Sequence, residues 1–203
     1  MKTSRMAASG CLVAALAVGV GACGSDSSSS SSSGSGSGSG GQSKTLDIYS
    51  SLPLQGASRA QTEALNNGAK LALEQKGGKA GNFKIKFTTL DDSTAQAGAW
   101  TPEATQANAR KVAQDKNAAV YIGEFNSGAS AVSIPILNEA GVPMISPANT
   151  AVGLTTNEAG AAPGEPQKYY PAQTRTYARI VPKDTIQGAA LATLMKQDGC
   201  TKV

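Results

Sequence analysis

Two short apolar runs, each followed directly by a small, polar turn, constrain the fold of this 203-residue chain more than any other feature. The runs cover residues 119–122 and 142–145, and their turns cover residues 124–130 and 146–150. An amphipathic segment with helical spacing, residues 129–140, lies between the runs. In an open α/β sheet, ligands bind in the crevice at the carboxyl ends of the strands. We therefore expect the two turns to form half of a small-molecule site.

The same alternation of strand and helix patterns continues on both sides of this unit. Residues 83–90 alternate apolar and basic side chains, which is typical of a strand near a sheet edge. Thr101 and Pro102 have the character of an N-cap and a first helical residue. The order predicts an α/β fold, a doubly wound and mostly parallel sheet with helices on both faces. The other predicted strands cover residues 45–50 and 175–180, and the predicted helices cover residues 60–75, 102–115 and 184–197.

Residues 157–174 interrupt this alternation, because they contain three prolines and follow no period. We interpret them as a surface insertion. Beyond it, Asp184 or Thr185 is the expected cap of the last helix. Residues 201–203 have the pattern of the start of another strand, and from this we expect the chain to be a truncated product or fragment.

Residues 1–22 have the features of an export signal. A positively charged start precedes a short apolar run at residues 11–20, and small residues follow. The run is shorter than the roughly 20 apolar residues that cross a bilayer. The tetrapeptide VGAC, which ends at Cys23, resembles the bacterial lipobox. That resemblance implies that Cys23 is diacylated and becomes the new N-terminus. The alternative is ordinary secretion with Cys23 as an idle thiol.

The stretch after Cys23, residues 24–43, consists almost entirely of Ser and Gly. It has no apolar surface to bury, so it is expected to behave as a flexible tether. With a lipidated Cys23, residues 23–43 would hold a folded domain away from the outer face of the bacterial cell membrane. The alternative is a low-complexity run without a role.

Composition excludes several classes of function. The chain has no histidine, which excludes Ser-His-Asp and Cys-His catalysis, and its three cysteines suggest neither an internal disulfide nor a zinc cluster. Without the two basic side chains of the leader, the net charge falls from +4 to +2, and no basic face indicates nucleic acid binding.

Asp91 and Asp92 end a strand. Mg²⁺ binding is one interpretation of this pair, but we favour a solvated strand terminus or a sheet-end cap. Cys200 is expected to be a buried thiol. We expect no enzyme, metal or cofactor.

Five short motifs occur in a characteristic order: NGAKLAL at 67–73, DD at 91–92, IG at 122–123, EAGVPMISP at 139–147 and QG at 187–188. In this order and spacing they resemble the leucine/isoleucine/valine-binding proteins, type 1 solute-binding components of branched-chain amino acid ABC transporters. The resemblance covers residues 46–203 and implies two α/β lobes that close on a ligand. Residues 44–178 would form the first lobe, and residues 179–203 the crossover and the start of the second.

The resemblance also implies which residues of the two turns contact the ligand. Asn126 replaces a cysteine of some members and Gln61 replaces an aromatic residue, so a more polar pocket is expected. Glu124 either meets an ammonium group or lies at the rim, and Tyr169 and Tyr170 of the insertion could rim the cleft. The implied contacts are Ser127, Ala148 and Thr150, with Asn126, Asn149 and Gln61 beside them.

The function that the resemblance implies is an exported, lipid-anchored solute-binding protein. It would deliver a branched-chain or related amino acid, or an amide-like molecule, to the permease of an ABC transporter. One alternative is the ligand-binding lobe of a sensor system. Another is a non-functional fragment, because a hinge-closing site needs both lobes. An enzyme with Ser127 as nucleophile is disfavoured, because no Gly-x-Ser-x-Gly elbow occurs.

Overall fold

The structure, a computed structural model, describes residues 44–202. The predicted export signal, lipidated cysteine and tether lie outside the described residues. The strands are β1 (Thr45–Leu52), β2 (Lys79–Ala80), β3 (Phe83–Asp91), β4 (Ser93–Thr94), β5 (Ala99–Trp100), β6 (Ala118–Ile122), β7 (Met144–Ser146) and β8 (Tyr177–Arg179). The helices are α1 (Arg59–Gln75), α2 (Pro102–Ala113), α3 (Ser127–Glu139) and α4 (Asp184–Gln197).

Six strands form one sheet in the order β2-β3-β1-β6-β7-β8, and only the β2–β3 pair is antiparallel. After β1 the chain adds β3 on one side, then crosses to add β6 on the other side of β1. The order of the strands therefore reverses between β1 and β6, which is the topological switch point of a doubly wound sheet. The predicted fold class is confirmed, and β3 lies near the edge as expected.

The packed face of this sheet carries a row of large side chains in register. Tyr49 lies opposite Tyr121, Tyr121 opposite Met144, and Met144 opposite Tyr177. All four are buried, together with Val112, Ile134 and Leu137 of the helices α2 and α3. Burying side chains of this size stabilises a fold by about 1.5–3 kcal/mol each. This row therefore fixes α2 and α3 on the face behind the two polar turns.

Two helix starts show how far local sequence decides a boundary. The Thr101 hydroxyl accepts a hydrogen bond from the Ala104 N–H at 3.2 Å, which confirms it as the N-cap of α2. The expected cap of α4 was wrong: Lys183 occupies the N-cap position of that helix without a side-chain cap, and Asp184 is its first residue. The carboxylate of Asp184 still lies in the positive first turn of the helix.

The insertion at residues 157–174 is partly built into the core. Tyr169 and Tyr170 belong to the buried core cluster rather than to a rim. The Tyr170 hydroxyl donates to the Leu154 carbonyl at 2.6 Å. On α3, the Asn138 amide donates to the Thr174 carbonyl at 2.6 Å and accepts from the Ala172 N–H at 2.9 Å. These bonds fasten the end of the insertion to the back of α3.

The last described residues differ from expectation. Residues 201 and 202 are not in a strand, and Cys200 is exposed rather than buried. No residue of α4 is buried, so its apolar side chains contribute nothing to the core. Within residues 44–202, no helix combines the length and the apolar character needed to cross a membrane.

Candidate functional site

The turns that follow β6 and β7 meet beside the switch point. The Ser146 hydroxyl donates to the Glu124 carbonyl at 2.8 Å, and its oxygen accepts from the N–H of Asn149 at 3.0 Å. The amide of Asn149 donates to the Glu124 carbonyl at 3.1 Å and to the Phe125 carbonyl at 3.0 Å. The two turns are therefore one hydrogen-bonded unit at the carboxyl edge of the sheet.

Asn149 is the centre of this unit and is completely buried. Its side-chain oxygen accepts from the Ser130 hydroxyl at 2.5 Å and from the Tyr177 hydroxyl at 2.8 Å, while its nitrogen serves the other turn. All of its polar atoms are thus used inside the lobe. The resemblance implied that Asn149 lies beside the ligand contacts; the structure turns its side chain inward, where it holds the turns together.

Ser127, Ala148 and Thr150 lie half-buried along the outer edge of the unit. The Ser127 hydroxyl accepts from the Ala151 N–H at 3.3 Å, so its own proton remains available to a further acceptor. Ser127 is also the first residue of α3, where main-chain N–H groups have no partner inside the helix. Asn126 is the half-buried N-cap of that helix and forms no side-chain cap. The structure therefore brings these four predicted residues to one edge.

Gln61, the sixth predicted residue, belongs to α1 and not to either turn. Its side chain is exposed on α1, next to a buried Thr62 whose hydroxyl donates to the Pro53 carbonyl at 2.5 Å. The Thr62 contact joins the start of α1 to the loop that follows β1.

Arg179, at the end of β8, is a site residue that the sequence reasoning missed. Its guanidinium donates to the Ala151 carbonyl at 2.8 Å and to the Thr155 hydroxyl at 2.6 Å. A longer bond of 3.3 Å reaches the Asn149 carbonyl. Arg179 therefore stabilises the second turn and the residues after it through hydrogen bonds, and it places a positive charge next to that turn. The sequence signal was a basic residue near the end of the predicted strand at residues 175–180.

Asp91 confirms the interpretation of a sheet-end cap. Its carboxylate accepts from the Leu54 N–H at 2.9 Å, the Ser93 N–H at 2.8 Å and the Gln55 amide at 2.8 Å. Partial burial acts to raise the pKa of Asp91, but these bonds and one from the Ser93 hydroxyl outweigh it and lower the pKa below its usual value. Asp91 thus fixes the loop that follows β1.

Asp92 and Glu124 contradict their expectations. Both are completely buried, so Asp92 is not solvated and Glu124 is neither a rim residue nor placed to meet a ligand. Burial raises the pKa of Asp92 to about 6 and the pKa of Glu124 well above its usual range. The Tyr121 hydroxyl donates to Glu124 Oε1 at 2.6 Å. Sequence alone does not show that a polar turn begins with a side chain directed inward.

Glycine lets the first turn approach the main chain of β1 and the ring of Trp100 closely. A Cβ on Gly123 would lie 2.6 Å from the Ser51 carbonyl oxygen of β1, closer than real side chains approach. On Gly128 it would lie 2.8 Å from the ring of Trp100. The Trp100 side chain therefore packs over the first turn of α3, beside Ser127.

This doubly wound sheet, with two turns joined at its carboxyl edge, matches a lobe of a type 1 periplasmic binding protein. A family model described as periplasmic binding protein matches residues 50–203. The chain belongs to that family. No curated protein matches the chain at a significant level.

Solved structures share the fold. A solute-binding protein of an ABC transporter from R. palustris, in complex with benzoate, is 26% identical with a TM-score of 0.60, covering 76% of this chain and 38% of that one. An ABC transporter substrate-binding protein from Desulfitobacterium hafniense, in complex with Leu, is 22% identical with a TM-score of 0.59, covering 77% and 40%. The leucine-binding protein LivK from Thermotoga maritima is 23% identical with a TM-score of 0.57, covering 75% and 37%. The chain thus spans at most 40% of the length of these three relatives.

Proposed function

We propose that this protein is the solute-binding component of an ABC transporter and that its ligand is a small carboxylate, in the first place a branched-chain or related amino acid. The observation that carries the proposal is that Asn149 joins the two turns into one edge beside the switch point. Ligands of open α/β sheets bind at this place.

The chemistry of the edge favours a carboxylate. The start of α3 offers main-chain N–H groups and the positive end of the helix dipole, and Ser127 adds a hydroxyl donor. The guanidinium of Arg179 lies behind the second turn, within hydrogen-bonding distance of Ala151. Ala148 and Thr150 are small enough to let a ligand approach their main chain.

A second candidate is an aromatic carboxylate. It is favoured by the R. palustris relative in complex with benzoate, which has the highest identity of the three described above. Both candidates present the same carboxylate to Ser127 and differ only in the remainder of the molecule. Residues outside the two turns would therefore select between them.

We also propose where the protein is located in the cell and how its chain is divided. Residues 1–22 direct export, Cys23 carries lipid at the outer face of the cell membrane, and residues 23–43 form the tether. Residues 44–178 form the first lobe and residues 179–203 begin the crossover. The protein binds and releases its ligand without turnover and passes it to the transporter permease. A sensor that passes the signal to a membrane receptor is the alternative, and a pull-down of the membrane partner distinguishes the two.

Thermal unfolding of the full-length protein tests the proposal. Leucine, isoleucine, valine and benzoate are added separately, with glucose as a neutral control. A ligand present at 100 times its Kd stabilises the folded state by about 2.7 kcal/mol, so Tm rises measurably. The proposal requires that at least one carboxylate raises Tm and that glucose does not. A panel in which only the sugar stabilises the protein would refute it.

A further inference from the structure

Asp92 and Glu124 form a buried pair of carboxyl groups between the ends of β3 and β6. Both side chains are completely inaccessible to solvent. Glu124 Oε2 and both carboxylate oxygens of Asp92 accept no hydrogen bond from a conventional donor among residues 44–202. Each carboxyl shifts the pKa of the other through a hydrogen bond between the two side chains, which requires a proton on one of them. A carboxylate cannot donate, so two ionised groups could not form that bond.

Among residues 44–202, no lysine or arginine is one of the groups that shift the pKa values of the pair. The groups that act on the pair are the Asp91 carboxylate beside it and the hydroxyls of Tyr121 and Ser51. Each of these groups is therefore either negatively charged or neutral. On the α3 side, the Ser130 hydroxyl accepts from the Glu124 N–H at 3.2 Å. Two buried negative charges in such a place are costly, and retaining a proton removes one of them.

We propose that Glu124 and Asp92 share one proton at neutral pH, carried on Glu124 Oε2 and donated to Asp92, and that this proton holds the ligand-binding turn in place. Glu124 is thus a positioning residue. Its Oε1 accepts from Tyr121, which leaves Oε2 for the proton. Only the consequence for ligand binding rests on the function proposed above.

The main chain of Glu124 transmits the state of the pair to both turns. Its carbonyl accepts from the Ser146 hydroxyl and from the Asn149 amide, and its N–H donates to Ser130. Loss of the shared proton puts a second negative charge beside Asp92 and repels the Glu124 side chain. Because Ser127 is three residues further on, displacement of Glu124 loosens the edge that meets the ligand.

The direction of the pH dependence follows from the raised pKa values. A carboxyl whose pKa is higher in the folded state contributes stability below its unfolded value, near 4, and loses it as the pH rises through the folded value. For Asp92 that value is about 6, and for Glu124 it lies well above the usual range. The coupled pair therefore titrates as a unit, and the folded state weakens as the pH rises from about 4 towards the alkaline range.

The test is urea denaturation of the full-length protein from about pH 5 to about pH 9, with Glu124→Gln as the variant. Glutamine keeps an acceptor for Tyr121 and offers Asp92 a permanent donor. The wild-type unfolding constant should rise by up to about tenfold per pH unit until the pair has lost its shared proton. In Glu124→Gln this rise should fall by at least half. The matched control is Glu74→Gln, which makes the same change at an exposed position of α1 and should keep the wild-type slope.

An unchanged slope in Glu124→Gln would overturn the proposal. If that variant does not fold, the infrared spectrum of the wild-type protein decides the matter: a band of a protonated carboxyl at pH 7, shifted by ¹³C-labelled glutamate, is expected, and its absence refutes the shared proton. Failure of every ligand to bind would refute the proposed function and leave the slope intact. A ligand affinity that does not weaken as the pH rises would refute only the claim that the shared proton holds the ligand-binding turn in place.

Discussion

The side-chain nitrogen of Asn149 lies 3.1 Å from the carbonyl oxygen of Glu124, and this bond joins the turn after β7 to the turn after β6. The same nitrogen reaches the Phe125 carbonyl at 3.0 Å. This buried amide thus helps to set the distance between Ser127 on one turn and Thr150 on the other, together with the bond from the Ser146 hydroxyl to the Glu124 carbonyl. The shape of the proposed ligand-binding edge depends on it.

Replacement of this amide should destabilise the lobe. Asn149→Ala removes the donor that the Phe125 carbonyl uses and the acceptor that the hydroxyls of Ser130 and Tyr177 share, and each buried orphan costs about 1–3 kcal/mol. We expect a loss of about 2 kcal/mol or more in the free energy of unfolding, measured by urea denaturation. Asn67→Ala, at an exposed position of α1, is the control and should change little. Equal stability of the two variants would contradict the role of Asn149.

Ser127 should act on binding rather than on folding. Ser127→Ala removes one hydroxyl donor from the proposed edge, so we expect ligand affinity to weaken by about 1–3 kcal/mol. Only one long bond, from the Ala151 N–H at 3.3 Å, is lost inside the lobe. The measurement is calorimetry on the full-length protein, with Ser58→Ala before α1 as the matched control. An unchanged Kd for Ser127→Ala would remove Ser127 from the site.

Replacement of Gly56 by any residue with a side chain should destabilise the fold. Its φ is +73°, and a Cβ there would lie 1.8 Å from the carbonyl oxygen of Gly98. Gly56→Ala is expected to cost about 1–3 kcal/mol of stability, because main chain must move. Gly188→Ala is the control, since no atom lies within 4 Å of its Cβ and alanine favours a helix. A thermal melt in which Gly56→Ala matches or exceeds the wild type would contradict the close approach.

Cys23 should carry the membrane anchor. In native cells, the wild-type protein is expected to incorporate labelled palmitate and to enter the detergent phase on phase separation. Cys23→Ser should lose both properties. Cys11→Ser and Cys200→Ser remove the other two thiols of the chain and should retain them. Labelling of Cys23→Ser at the wild-type level would exclude this residue as the acylated one.

The order of the elements could be predicted from the sequence because each strand and helix has its own apolar period. The strands β3 and β6 and the helices α1 and α2 lie within a few residues of their predicted bounds. The pairs β2–β3 and β4–β5 were missed because the strands β2, β4 and β5 have two residues each, too few to show a period. The predicted N-cap of α4 was wrong, because capping depends on backbone geometry as well as on residue type.

The site was less predictable, because a polar residue in a turn can face either the solvent or the interior. Ser127, Ala148 and Thr150 lie along the expected edge, but Asn149 and Glu124 point inward. Their burial depends on partners distant in sequence, such as Tyr177 for Asn149. The same holds for Tyr169 and Tyr170 of the insertion, whose packing against the core cluster no local pattern indicates.

Recognition of a carboxylate at the paired-turn edge is the central claim, and calorimetry with matched ligand pairs tests it most directly. The full-length protein is titrated with leucine and leucinamide, and with benzoate and benzamide, under identical conditions. We predict that at least one carboxylate binds and that its amide analogue, which lacks the negative charge, binds at least tenfold more weakly, a difference of about 1.4 kcal/mol. Equal affinity for acid and amide, or binding of the amides alone, would contradict the account.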